Sequence, residues 1–340
     1  MSLPPPSLGT THNTSLGFTG TLLDPRETNG TESPLSLYRR LSASDDSCVS
    51  FRHRKHQWHR DRVLDSFSRL EIDETRQRAY ARCGSNAWLV QSDSEHRDFS
   101  LRSDCCHDRW CPACAKTRAS VIRHNIQPLI ENKTARFITL TLKHTNEPLT
   151  GRIDRLFRCF TKLRKLKLWK HAVDGGAAFT EVKINEQTMR WHPHIHAIAI
   201  GRYLPLDRLK SAWLAITGNS HIVDIRIIKD PGKVAAYVTK YVTKPADNNL
   251  YRVPEALDEA IVAMRGRRLV ATFGSWRAVA LLHWEARDEW RAVLEWPEFM
   301  QRIREGNQWC LHAWNNIQTY EHDANDPNPR DDQLNLDWEP

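Results

Sequence analysis

Hydrophobic and polar positions follow two periods along this chain, and the changes from one to the other outline its elements. Phe137-Ile138-Thr139-Leu140-Thr141-Leu142 alternates threonine with aliphatic residues, which predicts a half-buried strand. Ala177 to Asn185 and Trp191 to Gly201 read as two more strands joined by a short polar connection, a hairpin. His221 to Ile228 reads as a further strand, and 262–276 as a strand or hairpin. Between them the spacing of apolar residues becomes helical. Leu156 to Trp169 is a basic amphipathic helix, Leu206 to Ile216 a second, and Lys233 to Thr243 a third, stopped by Pro245. Upstream, Val63, Leu64, Phe67 and Leu70 recur at i, i+1, i+4 and i+7, and Ala115 to Gln127 predicts a helix ending near Pro128. The tryptophan-rich stretch 277–300 is helical in pattern, with Trp276, Trp284, Trp290 and Trp296 best read as core. The middle of the chain is thus one α+β unit.

Composition adds boundaries. Residues 1–47 are rich in Ser, Thr, Pro, Gly and Asn and show little periodicity, so they are expected to be disordered. Ser50 to His59 is basic and aromatic. Five segments follow: 1–47 disordered, 48–127 a basic helix and metal-binding module, 128–276 a catalytic domain, 277–318 a helical Trp-rich region, and 319–340 an acidic disordered tail. With 340 residues, of which 40% are hydrophobic, the chain can bury a sizeable core. No apolar run is long enough to cross a membrane and no secretion signal opens the chain, which predicts a soluble cytoplasmic protein without a membrane partner. The net charge of +8 favours a polyanionic partner. Residues 321–340 carry seven acids against Arg330, so the basic charge lies upstream of the tail.

The 8 cysteines bring the first specific chemistry. Cys106-His107-Asp108-Arg109-Trp110-Cys111-Pro112-Ala113-Cys114 contains a Cys-Pro-x-Cys knuckle, which can turn two thiolates toward one ion. With Cys106 and Cys83, Cys111 and Cys114 would close a tetrahedral structural Zn²⁺ site with no position left for chemistry. Cys105 and His107 are rivals for the fourth place.

Trp191-His192-Pro193-His194-Ile195-His196-Ala197 puts His194 and His196 on one face of a strand, with Pro193, Ile195 and Ala197 on the other. If the hairpin turn centres near Gln187–Thr188, Glu181 sits opposite His194 or His196 on that same face. Two imidazoles and a carboxylate with open positions suit Mg²⁺ or Mn²⁺ beside a phosphate. His192 is a spare that would fall outside the regular strand. Alone, His-x-His is common on ordinary surface strands.

The segment Lys233 to Lys244 sets Tyr237 and Tyr241 on adjacent turns of one helical face, with Lys233, Lys240 and Lys244 in nearly the same arc. Val234, Val238 and Val242 form the neighbouring stripe. Ammonium groups around a phenol favour its ionisation and stabilise charge on a phosphoryl oxygen. Aromatic pairs at this spacing are otherwise usually core.

Taken in order, these segments resemble the HUH endonuclease superfamily, and within it the rolling-circle replication initiators. The matching motifs are Phe137 to Thr141, Trp191 to His196, and Tyr237-Val238-Thr239-Lys240-Tyr241-Val242-Thr243-Lys244, with the cysteine cluster preceding them. The resemblance covers about residues 80–275. It implies an antiparallel sheet with flanking helices, a ferredoxin- or RRM-like palm, preceded by a small zinc ribbon. It implies a nicking-joining enzyme in which tyrosine attacks a Mg²⁺- or Mn²⁺-bound phosphate of single-stranded or hairpin origin DNA. The products are a 5′-phosphotyrosine and a free 3′ hydroxyl for a host helicase and polymerase to use. Many members carry a glutamate four residues before the tyrosine; here Tyr237 holds that place, as in two-tyrosine members, so Tyr241 and Tyr237 are expected to alternate. Lys244 gives Tyr241 the tyrosine-x-x-lysine context of the first nucleophile. The rival readings are a two-tyrosine transposase of an insertion sequence and a zinc-ribbon DNA-binding regulator without catalysis. Conjugative relaxases fit less well, because they generally place the tyrosine before the histidines.

Overall fold

The computed structural model describes residues 33–43, 48–93, 98–185, 187–229, 248–283 and 289–323. In chain order the elements are α1 (Pro34–Ala43), α2 (Cys48–His53), α3 (Gln57–Arg69), α4 (Glu74–Ala81), β1 (Trp88–Ser92), β2 (Phe99–Arg102), α5 (Pro112–Ile130), β3 (Ala135–Thr141), α6 (Leu149–Lys165), α7 (Lys167–Ala172) and β4 (Val173–Asn185). Then come β5 (Arg190–Gly201), α8 (Leu206–Thr217), β6 (Val223–Ile227), a 3-10 turn (Asn248–Arg252), α9 (Pro254–Met264), β7 (Val270–Gly274), β8 (Trp290–Glu295), α10 (Trp296–Arg304) and α11 (Gln308–Asp323). The fold is α+β, with antiparallel sheets and flanking helices.

The chain groups into two units, one of residues 53–80 and 105–285 and one of 1–52, 81–104 and 286–340. The larger holds a five-stranded antiparallel sheet in the order β6-β3-β5-β4-β7. Alternation sorts its side chains. Ile138 and Leu140 of β3 and Ile195, Ala197 and Ala199 of β5 face α6 and α8, where they pack with Leu156, Phe160, Leu163, Leu209 and Trp213. Each fully buried Leu, Ile or Phe of that layer contributes about 1.5–3 kcal/mol. The opposite face is divided. Phe137, Ala177, Phe179, Ile198 and Ile200 pack under Ile122, Ile126 and Ile130 of α5, while the rest of that face is polar.

The smaller unit is a three-stranded antiparallel sheet, β2-β1-β8, with a core of Leu89, Phe99, Leu294, Trp296, Phe299 and Cys310. Phe51 rests against Trp296 and Trp314, each at 5.1 Å between ring centroids.

Several expectations are corrected. Pro34–Ala43 is helical, although 1–47 reads as disordered, and helix continues past 318 to Asp323. Trp290–Glu295 is a strand where 277–300 suggests helix; its residues pair with β1, which outweighs their helical spacing. Pro128 lies inside α5, which runs to Ile130. A proline there withholds the N–H that would bond four residues back, and the helix ends two residues later. The helix expected over Leu156 to Trp169 breaks at Leu166 into α6 and α7. Pro254–Met264 is a helix that precedes the strand expected in 262–276.

Trp213 ties the helical layer to the end of β3. Its ring is fully buried, and its indole N–H donates to the Thr141 carbonyl at 2.9 Å. Trp213→Ala is expected to lose about 3–5 kcal/mol of stability, read by urea unfolding. A loss below about 1 kcal/mol would contradict this packing.

Candidate active site and cysteine centre

The β4–β5 hairpin builds the polar face. Asn185 Oδ1 accepts hydrogen bonds from the backbone N–H groups of Gln187 and Thr188 at 3.1 and 2.9 Å, which fixes the turn where it was expected. From there Asn185 pairs with Arg190, Lys183 with His192, Glu181 with His194 and Phe179 with His196. Glu181, His194 and His196 therefore share one face, and Pro193, Ile195 and Ala197 take the other.

His192 is a correction, because it lies within β5 and on the same face as the other two. Its ring stacks 6.4 Å from His194, whose ring is 5.9 Å from His196. His144, from the loop after β3, adds a fourth ring 4.7 Å from His192.

β3, on the other side of β5, supplies partners that the sequence reading did not assign to the site. Thr141 pairs with His194 and Thr139 with His196. Their Oγ1 atoms lie 3.0 and 3.2 Å from the respective Nδ1 atoms. Such contacts orient an imidazole and present Nε2. His196 Nε2 lies 3.0 Å from Glu181 Oε2, and Phe137 stacks on the same ring at 5.5 Å. Lys183 Nζ stands 3.7 Å from Glu181 Oε2. The threonines could have been found in the sequence, since their period-2 spacing puts both on one strand face.

Electrostatics favours a neutral base pair of rings beside an ionised acid. Burial raises the Glu181 pKa, but the hydrogen bond to His196 and the charges of Lys183 and the histidines outweigh it, and the net shift is downward. Burial pushes His194 down to about 3 and, with the charge of His144, His192 to about 4. His194 is half-buried, and the desolvation of its ring on the crowded strand face is the main cause of its shift.

The sulfur atoms of Cys83, Cys106, Cys111 and Cys114 all lie within 4.8 Å of one another, a set that could hold a metal ion such as zinc. Among the described residues this is the one such group of three or more; the histidine face is not drawn together to the same degree. Cys105 and His107 stand outside it. Two sulfurs at about 2.3 Å from a tetrahedral zinc lie about 3.8 Å apart, and Cys106 and Cys114 are separated by 3.7 Å. Cys111 caps α5, with Pro112 at its first position. The Asp108 N–H donates to Cys106 Sγ at 3.4 Å, and Arg60 Nη1 to Cys111 Sγ at 3.8 Å. Both donors suit thiolate acceptors.

Tyr237, Lys240, Tyr241 and Lys244 lie outside the described residues, as does the helix expected to carry them. No helix among the described residues is long and apolar enough to cross a membrane.

The histidine shifts give a pH dependence. In the unfolded chain both rings titrate near about 6.5. Below that pH the unfolded state takes up protons that the folded state refuses. The contribution of His194 and His192 to stability is therefore complete above about pH 6.5 and declines as pH falls toward their folded values. Heteronuclear NMR should find both rings neutral at about pH 5.5. A His194 ring that protonates at the ordinary histidine value would contradict this geometry.

Residues 99–320 match the family model described as replication protein. A Protein rep of Staphylococcus aureus is 24% identical over 207 residues, covering 55% of this chain and 90% of the relative. One of Streptococcus pneumoniae is 25% identical over 220 residues, covering 54% of this chain and 65% of the relative. One of Lactiplantibacillus plantarum is 30% identical over 102 residues, covering 27% and 32% respectively. No solved structure matches. The family match takes in β2 through most of α11, the histidine hairpin included, and so covers well over half the chain. This chain belongs to the replication protein family.

Proposed function

We propose that this protein initiates rolling-circle replication of a plasmid, by nicking one strand of origin DNA and joining that strand to its own tyrosine. The observation that carries the reading is the β4–β5 register, which sets Glu181 opposite His194 on the face that also bears His196. Membership of the replication protein family is the reason for preferring replication to transposition. The order of cysteine cluster, β3, histidine strand and tyrosine segment fits the HUH endonucleases.

His194, His196 and Glu181 are the residues that would hold Mg²⁺ or Mn²⁺. They fit such an ion: the histidine Nδ1 atoms are engaged by threonines, His194 is neutral, and the carboxylate favours its ionised form. The hydrogen bond between His196 and Glu181 would give way to it. When bound, the ion polarises a phosphoryl oxygen and orients the phosphate.

Tyr241 is the first nucleophile. Its phenolate oxygen bonds to phosphorus, the bond from phosphorus to the 3′ oxygen breaks, and that oxygen leaves as a hydroxyl after taking up a proton. Lys240 and Lys244 favour the phenolate and offset charge on the phosphoryl oxygens. The 5′-phosphotyrosine keeps the energy of the phosphodiester bond, so a second attack can reseal the strand without ATP. Tyr237 is the nucleophile that frees the enzyme for another round. The free 3′ hydroxyl and the displaced strand call for a host polymerase and helicase. Cys83, Cys106, Cys111 and Cys114 hold a structural Zn²⁺.

With Mn²⁺ supplied, the protein should form a covalent adduct with a single-stranded oligonucleotide spanning the nick site of its replicon. Tyr241→Phe should abolish the adduct. Glu181→Gln should slow its formation by about 100-fold or more, the scale for losing one group that serves the transition state. Tyr237→Phe should nick once but fail to turn over; repeated turnover at the wild-type rate would remove the alternating scheme. No adduct with the wild-type protein would overturn the enzyme reading.

The cysteine assignment has its own test. Elemental analysis should find one zinc per chain, and stripping it should lower the unfolding temperature, as removal of a structural ion does. A metal-free chain of unchanged stability would contradict it.

A further inference from the structure

Cations from three parts of the chain converge on a cleft at the β7 edge of the five-stranded sheet. Phe273, which lines the cleft, packs into the layer on the face turned away from the histidines, and an adjoining hollow that shares Arg164 and Arg268 reaches Ala178 and Ile195 of that layer. Arg164 and Lys165 come from the last turn of α6, Arg268 from the loop leading into β7, and Arg277 from the turn after it. The space is about 480 Å³. Among the described residues no carboxylate lines it.

Cations in a last helical turn commonly just offset the helix dipole. That accounts for Arg164 and Lys165 but not for Arg268 and Arg277, which arrive from other elements. Neighbouring Arg267 shows the ordinary arrangement, since it pairs with Asp154. Arg268 and Arg277 make no ion pair among the described residues, and both are exposed. Arg164 lies over the rings of Phe160 and Phe273, at 4.9 and 5.9 Å, and its Nε has no hydrogen-bond partner among the described residues. Burial, then the nearby charge of Arg277, works against its charged form. The loop that carries Arg268 is held in place: Arg109 donates to the carbonyls of Met264 and Arg267 at 2.7 and 2.8 Å. Like charges fixed together without an acid are relieved by an anion.

We propose that this cleft binds the phosphodiester backbone of DNA, at a place separate from the strand presented to the histidine face. The cations are spread from the end of α6 to the turn after β7 along an open sheet edge, which suits a run of phosphates better than one enclosed phosphate. The proposal rests on the reading of the protein as one that acts on DNA, and adds a second contact to it.

The test is fluorescence anisotropy of the full chain with a labelled duplex over a range of salt. Arg268→Ala with Arg277→Ala should weaken binding by about tenfold or more and reduce the slope of log affinity against log salt by about two, as expected when two phosphate contacts are lost. Arg208→Ala with Lys210→Ala, which removes two exposed charges of α8 on the β6 side, should have a smaller effect. Equal effects of the two pairs, or an unchanged slope for the first, would overturn the site. Mononucleotide and inorganic phosphate serve as competitors. Millimolar resistance supports a backbone ligand, whereas tight mononucleotide binding lost with Arg268 and Arg277 would overturn that assignment. Adduct formation by the wild-type protein is measured alongside, so that its failure strikes the nicking reading while the salt slopes judge the cleft.

Discussion

The pairing register of β4 and β5 is the constraint on which the rest of this molecule depends. Side chains alternate along a strand, so a slip of one residue would turn Glu181, His192, His194 and His196 into the layer now filled by Ile195, Ala197 and the helices α6 and α8. Buried there without partners, they would cost several kcal/mol. Two features oppose the slip. Asn185 closes the turn at one end, and at the other the pairing shifts between Val173 and Gly175. At Gly176 the same pairing requires a residue without a side chain, because a Cβ there would run into the Ile198 carbonyl. The same alternation that packs Ile195 against the helices turns His194 to the polar face, so the core and the candidate site are two consequences of one register.

The divided face of the sheet follows from where α5 ends. Its isoleucines cover Ile198 and Ile200, and the histidines begin one pleat further along the same strand. The start of α5 is set by the cysteine centre, whose Cys111 is its cap. Between two of those cysteines, Arg109 reaches the loop before β7. A structural ion would thus steady a helix that packs beside the histidines and a loop that leads to the sheet edge, without any part in the chemistry.

Long elements with a clean period could be read from the sequence. β3, the hairpin, α8 and α3 all lie close to where alternation or helical spacing puts them, and Glu181 was legible as a partner of the histidines because a polar turn leaves few registers. What could not be read depends on neighbours distant in sequence. β1, β2 and β8 are four to six residues long and become strands by pairing with each other. The period-2 spacing of Thr139 and Thr141 puts both on one strand face, but which histidine each one orients follows only from β3 lying beside β5. α9 was legible and missed: Pro254 opens it, Glu255 follows, and Leu257, Ile261 and Met264 form an apolar stripe. The basic cleft combines residues more than one hundred positions apart, so no local pattern announces it.

The proposed chemistry requires Glu181, His194 and His196 to act together as one metal-binding set. Crystals of the protein soaked in Mn²⁺ and measured at the manganese absorption edge test this most directly. One anomalous peak is expected, bounded by the Glu181 carboxylate and the Nε2 atoms of His194 and His196. A peak elsewhere on the chain, or none on that face at saturating Mn²⁺, would contradict it.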